Sequence, residues 1–357
     1  MIKLFNIDLH ISVIEDFKYV VNKLYGNNVE ITNWSISSMN WVFNKKNETV
    51  DIVNQNTWKN INNEMIEKFY SKYYTFLSQF DGFIVTHTPV FCLLFEKFNK
   101  PIILINSCRY EQPFSWTNNI NMWDYLNYKL KDMFNKKQLI AVSNNKADKE
   151  YLKLGTGIDS ILIPSLCLYT ELKYNPVNDI CIIYNNNSLQ ICENKKLKYK
   201  SSVLQNNYSW KELYSFKGII HFPYEISTMS LFEQYSANIP LFFPSKNFLK
   251  NLILNNNYYF QSRYNKIHKL NNSYHSNLNE ALNDNLWLNF WVDNADYYDE
   301  NNMKHIIFFN SYNELNLLIN TIDFKEVSKK MEIHNKERIN AVFELWKNIL
   351  NSTFLNL

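Results

Sequence analysis

From its first residues the chain alternates short apolar runs with longer stretches whose apolar positions recur at helical spacing. Ile2 to Ile7 reads as a strand and Ser12 to Leu24 as the helix behind it, with Ser12 at the N-cap and Glu15 three residues on. Val29 to Trp34 is a second strand, and Trp58 to Gln79 a long amphipathic helix. The rhythm continues with strands at Phe83 to Thr86, Pro101 to Asn106, Gln138 to Ser143 and Ser160 to Ile163. Helical patterns at Val90 to Phe98, Asn118 to Phe134 and Lys146 to Leu154 separate them. A βαβ order of this kind predicts a parallel, doubly wound sheet.

The pattern lapses between residues 164 and 179, "PSLCLYTELKYNPVND", which carries two prolines and no clean period. It resumes with an apolar strand at Ile180 to Tyr184, a helix at Trp210 to Phe216, and a strand at Gly218 to Phe222. A helix at Ser227 to Asn238 and a strand at Ile239 to Phe243 come next. His305 to Phe309 and Asn313 to Ile319 read as a last strand and helix, before one long amphipathic helix from Val327 to Leu350. With 357 residues, more than one core usually fills, two domains are expected: residues 1–172 and 173–330, followed by a terminal helical segment, 331–357. The expected class is α/β, two Rossmann-like domains facing a cleft. Ligands of such sheets bind outside the carboxyl ends of the strands, so the polar residues that follow strands are the ones to inspect.

Composition narrows the partners. A net charge of +3 with 20% charged residues gives no broad basic face, which argues against nucleic acid. The start "MIKLFNIDLH" has Asp8 inside its apolar run and reads as neither a signal peptide nor a membrane span. No other window is apolar enough for a transmembrane segment. Cys92, Cys108, Cys167, Cys181 and Cys192 form no CxxC pair, which predicts free thiols and a cytoplasmic protein. The histidines show no metal-ligand spacing, and Asp293 and Asp296 resemble a metal-binding Asp pair only superficially, so no metal is expected.

Candidate chemistry centres on "FPYEISTMSLFEQYSANIPLFFPS", residues 222–245. Ser227 suits the N-cap of the helix that follows, and the free N–H groups of a helix start form an anion site fit for a diphosphate. Glu225 precedes that helix and Glu233 lies on it. A carboxylate can accept paired hydrogen bonds from neighbouring hydroxyls, as on a ribose. The bland alternative is a solvated loop glutamate and an exposed helical one. This order resembles the donor-binding element of two-Rossmann (GT-B) glycosyltransferases: a Glu, seven residues, a second Glu, then a short small-small-x-x-Pro step into an apolar strand, an arrangement matched here by Ala237, Asn238, Ile239 and Pro240. The glycines usual after the first Glu are replaced by Ile226, Ser227 and Thr228. The wording around His221 to Glu233 is also similar to transferase-like proteins of large DNA viruses.

The resemblance implies that Glu233 binds the donor ribose, that Glu225 lies near the donor sugar, and that Tyr224, Ser227 and Thr228 contact the donor. It implies that His87, after a strand in "DGFIVTHTPV", lies near the transferred sugar; a plain helix-capping role is the rival. Asp8 and His10, in the first βα loop, border the acceptor, and either would be the base if the reaction inverted. Arg109 could grip a phosphate or an acceptor carboxylate, with an ion pair to Glu111 as its rival. A basic clamp on the diphosphate is expected from among Lys200, Lys217 and Arg263. The terminal helix would cross back onto the first domain. The implied activity is a metal-independent, retaining transfer of a sugar from a nucleotide-diphosphate donor to the hydroxyl of a glycan or glycoconjugate, with no cofactor. A sugar-nucleotide epimerase of the same fold, or a non-catalytic sugar-binding or assembly protein, are the alternatives.

Overall fold

The computed structural model describes the chain except residues 47, 185–193, 206, 256, 257, 262–283, 356 and 357. Arg263, Cys192 and the asparagine run 185–187 therefore lie outside the described residues. The rest forms two compact units: Met1–Ser165 joined by the chain's last stretch from Val342, and a second from Leu166 to Ala341.

The first unit is built on six parallel strands, β1 (Ile2–Asp8), β2 (Val29–Ser35), β3 (Gly82–His87), β4 (Ile102–Asn106), β5 (Leu139–Ser143) and β6 (Ile161–Leu162). Their spatial order is β2-β1-β3-β4-β5-β6. Leu4, Phe5, Phe83, Ile84, Ile102 and Leu104 are fully buried, as expected of continuous apolar strands covered on both faces. The end of the long helix Phe324–Leu350 packs here: Trp346 meets Phe17 edge-on at 4.8 Å, and the Tyr25 hydroxyl donates to Asn351 Oδ1 at 2.7 Å.

The second unit holds five parallel strands, β7 (Cys181–Ile183), β8 (Leu197–Tyr199), β9 (Gly218–Ile220), β10 (Leu241–Pro244) and β11 (Ile307–Phe309), in the order β11-β10-β9-β7-β8. The earlier part of the terminal helix belongs to this unit. Arg338 is buried there, its Nε donating to Asn302 Oδ1 at 2.7 Å and its guanidinium standing 5.5 Å from the Tyr235 ring. Asn335 donates to the Tyr235 carbonyl at 2.8 Å.

Several local expectations are corrected. The first helix is Ile11–Tyr25, with His10 at the cap position making no side-chain cap bond, and Ser12 is buried inside it. The second is Asn63–Leu77, opened by Asn62 accepting from Met65 N at 3.0 Å; Trp58–Asn60 is a separate single turn. β8 and the helices Lys246–Asn255 and Asp284–Asp293 were not legible as elements.

Candidate functional site

The strand order of the second unit reverses beside β7: β8 lies on one side of it and β9, reached later in the chain, on the other. Such a reversal leaves a crevice at the strands' carboxyl ends, because the two crossovers leave in opposite directions. A shallow pocket open to solvent occurs there. Tyr184 enters it from the end of β7, His221 from the end of β9 and Phe243 from β10. Tyr224, Glu225, Ser227, Thr228 and Ser230 complete its polar wall.

The rings form a rigid side. His221 stacks on Phe243 at 4.8 Å, and Phe243 on Tyr297 at 4.5 Å. His221 Nε2 is 2.6 Å from Gln234 Oε1, and burial pushes its pKa down to about 4, so the ring is neutral at physiological pH. The loop bearing Glu225 is held on both sides: Ile226 is fully buried with its carbonyl accepting from Asp296 N at 3.2 Å, and the Tyr224 carbonyl accepts from Gln261 N at 2.7 Å.

The helix facing the pocket is Met229–Ser236, and its N-cap is Thr228, not Ser227. Thr228 Oγ1 accepts from Leu231 N at 3.3 Å and lies 3.1 Å from Ser230 Oγ. The helix start thus presents hydroxyls and the positive end of its dipole to the pocket. Lys200, just past β8, supplies a cation nearby: its Nζ lies 4.1 Å from the centroid of the Tyr184 ring and 5.0 Å from that of Tyr208, and its charge lowers the pKa of His221.

Glu225 sits in the wall of the pocket; Glu233 does not. Glu233 is buried, and its oxygens accept from the Tyr169 hydroxyl at 2.6 Å and Trp210 Nε1 at 3.0 Å. The paired hydrogen bonds expected for a ribose are made inside the protein. Lys217 precedes β9, at the amino end of the strand and so away from the pocket, and pairs with Asp179 at 2.5 Å. Asp293 pairs with Lys250 at 3.2 Å, whereas Asp296 is buried.

The first unit has its own reversal, beside β1, and the sequence candidates collect there. The His10 and His87 rings are 5.5 Å apart, and burial lowers both pKa values, that of His87 to about 3. His87 has φ 71°, a left-handed conformation uncommon outside glycine. Asp8 is buried at the end of β1 and its pKa is pushed up to about 6, chiefly by desolvation. Arg109 is buried with its Nε 3.1 Å from Asp148 Oδ1, and its charge also acts on the nearby Glu111 carboxyl. Burial pushes the Glu111 carboxyl up to about 7.

His221, Tyr184 and Tyr297 were missed as candidates. The available signal for His221 was its place directly after the apolar "GII" strand. Among the described residues, no group of three or more His, Cys, Asp or Glu is placed to hold a metal ion, and no helix is long and apolar enough to cross a membrane.

No family model and no curated protein matches the sequence. Among solved structures, the chain is similar to the spinosyn forosaminyltransferase SpnP at 9% identity and a TM-score of 0.45, over 98% of this chain and 99% of that one. It is similar to the glycosyltransferase SnogD from Streptomyces nogalater at 9% identity and a TM-score of 0.44, over 97% and 99%. A protein described as a UDP-N-acetylglucosamine 2-epimerase, from Listeria monocytogenes, gives 10% identity and a TM-score of 0.44 over 68% and 78%.

Proposed function

We propose that the chain is a glycosyltransferase of the two-Rossmann (GT-B) kind. It takes a nucleotide-diphosphate sugar into the second unit's pocket and passes the sugar to a hydroxyl of a glycan or glycoconjugate. The observation that carries this reading is the position of the pocket: at the β7/β9 reversal, against the start of Met229–Ser236, with Glu225 in its wall. A diphosphate fits the helix start because N–H groups, the hydroxyls of Ser227, Thr228 and Ser230, and the Lys200 ammonium all favour negative charge. In the transfer, the bond from the sugar's anomeric carbon to the diphosphate breaks and negative charge grows on the leaving oxygen. Fixed positive groups stabilise that charge without having to reorganise, and positioning does much of the rest.

The finer reading is retention of anomeric configuration without a metal. Glu225 supports it, since the carboxylate stands in the donor pocket itself, where positive charge develops on the sugar. The histidine pair His10 and His87 belongs to the first unit, whose carboxyl-end loops would take the acceptor. The buried free thiols of Cys92, Cys108, Cys167 and Cys181 suit a cytosolic enzyme.

Incubation with UDP-, TDP-, GDP- and CDP-sugars and a panel of glycosides, read as acceptor-dependent release of nucleoside diphosphate, tests the reading. The product's anomeric configuration by NMR tests retention, and unchanged turnover in a chelator tests metal independence. Interconversion of the nucleotide sugar with no acceptor present would assign an epimerase instead.

A further inference from the structure

Trp116 is half exposed, although the ring it packs against is buried. It lies on the single helical turn Phe114–Thr117, in the connection that leaves the carboxyl end of β4. Trp58, from the connection that leaves β2, meets it edge-on at 5.7 Å and 74°. Lys59 Nζ stands 5.9 Å from the centroid of the Trp116 ring, within cation–π range. A tryptophan exposed at a protein surface needs no explanation by itself. One whose orientation is fixed by a second indole, on the side of the sheet where ligands bind, does.

The chain leading to Trp116 is strapped along the end of β3, where His87 stands. Ser107 N donates to the His87 carbonyl at 3.3 Å, and Thr88 Oγ1 donates to the Gln112 carbonyl at 2.7 Å. Trp116 follows one turn later, its N–H donating to the Pro113 carbonyl at 3.0 Å, so it rises about 6 Å beyond Gln112. The ring therefore belongs to the neighbourhood of His87 and not to a remote face of the unit.

The surroundings match the chemistry of a sugar. A pyranose has an apolar C–H face ringed by hydroxyls that donate and accept hydrogen bonds. The Trp116 indole offers the flat apolar partner for that face. Lys59, Asn60 and Asn118, all exposed and next to the two indoles in sequence, carry the hydrogen-bonding groups for the rim. We propose that Trp116, backed by Trp58 and flanked by Lys59, is a stacking platform for one pyranose ring of the acceptor glycan, an inference that rests on the glycosyltransferase reading. Stacking of this kind touches no reacting atom. It holds the acceptor by a ring beside the one that reacts, and its loss raises the acceptor KM far more than it lowers kcat.

Saturation-transfer NMR with cellotetraose, maltotetraose and chitotetraose, on the parent, Trp116→Ala and Trp116→Tyr, tests the platform. At least one tetrasaccharide should bind the parent and bind Trp116→Ala about tenfold or more weakly. Trp116→Tyr restores a flat ring and should regain most of the affinity. Equal binding by the parent and Trp116→Ala, or no binding of any of the three sugars to the parent, would overturn the proposal. Should Trp116→Ala not fold, the parent labelled with 5-fluorotryptophan decides, with Trp116→Tyr assigning the resonance by removing it: a Trp116 signal that shifts with the sugar supports the platform, and one that stays still refutes it. UDP and TDP titrated into the same samples report on the second unit's pocket and should bind the parent and Trp116→Ala alike. Their failure to bind counts against the glycosyltransferase reading, whereas the platform stands or falls on the tetrasaccharides.

Discussion

The hydroxyl of Tyr169 donates to Oε1 of Glu233 at 2.6 Å. With Trp210 Nε1 on the other oxygen at 3.0 Å, this gives the second glutamate of the quoted segment a reason to be buried in an otherwise apolar helix. The carboxylate gathers two elements distant in sequence onto the helix that faces the pocket. Its removal is therefore a structural event first.

Glu233→Ala leaves the Tyr169 hydroxyl and the Trp210 indole without their acceptor. The expected loss is about 1.5–3 kcal/mol, the scale of hydrogen bonds to a charged group. Urea unfolding of the parent and the variant measures it. A variant as stable as the parent would mean that Glu233 is not held in this way.

The pH dependence of stability carries the mark of Asp8. Its carboxyl rises from 3.8 to about 6 on folding, so between those values the folded state binds the extra proton. Stability from this group is full below pH 3.8 and lost as pH rises through about 6. Asp8→Asn removes this dependence. Relative to the parent, the variant should gain as much as about 3 kcal/mol between pH 4 and pH 7. Melting temperatures across that range give the sign, and a relative loss on raising the pH would contradict it.

A third expectation concerns packing. A Cβ at Gly155 would run into the ring and hydroxyl of Tyr110, which is buried and accepts from Trp123 Nε1 at 3.1 Å. Gly155→Ala should cost about 1–3 kcal/mol by overpacking, despite alanine's better helix propensity. Unfolding by denaturant reads the difference directly, and an unchanged midpoint would show that Tyr110 has room to move.

Much of this was written in the local pattern. The apolar runs at Leu4, Phe83 and Ile102 announced buried parallel strands, and "GII" followed by a polar residue announced a strand's carboxyl end. β8 was missed because its three residues carry one buried side chain, Leu197, too little to show a period. The site was half legible. Spacing brought out Glu225, Ser227 and Thr228, which do line the pocket. It could not distinguish them from Glu233, because Tyr169 and Trp210 reach that carboxylate from 64 and 23 residues away. Asp148 went unread as a partner of Arg109 for the same reason: it comes from a helix that no local pattern links to Arg109. His221 went unread because a lone histidine after a strand has no periodic signature, and its role as a stacked wall exists only once Phe243 and Tyr297 are beside it.

The central claim, that the second unit's pocket takes the diphosphate of a nucleotide donor at the start of Met229–Ser236, is tested most directly by calorimetric titration of UDP, TDP, GDP and CDP into the parent and Ser227→Glu. A carboxylate beside a helix start is neutral or stabilising for the fold, so melting temperature should hold. The same carboxylate would stand where the diphosphate must sit. At least one nucleoside diphosphate should bind the parent and bind Ser227→Glu about tenfold or more weakly, a difference of about 1.4 kcal/mol. Binding to the parent that Ser227→Glu leaves unchanged, or no binding to the parent by any of the four, would contradict the account.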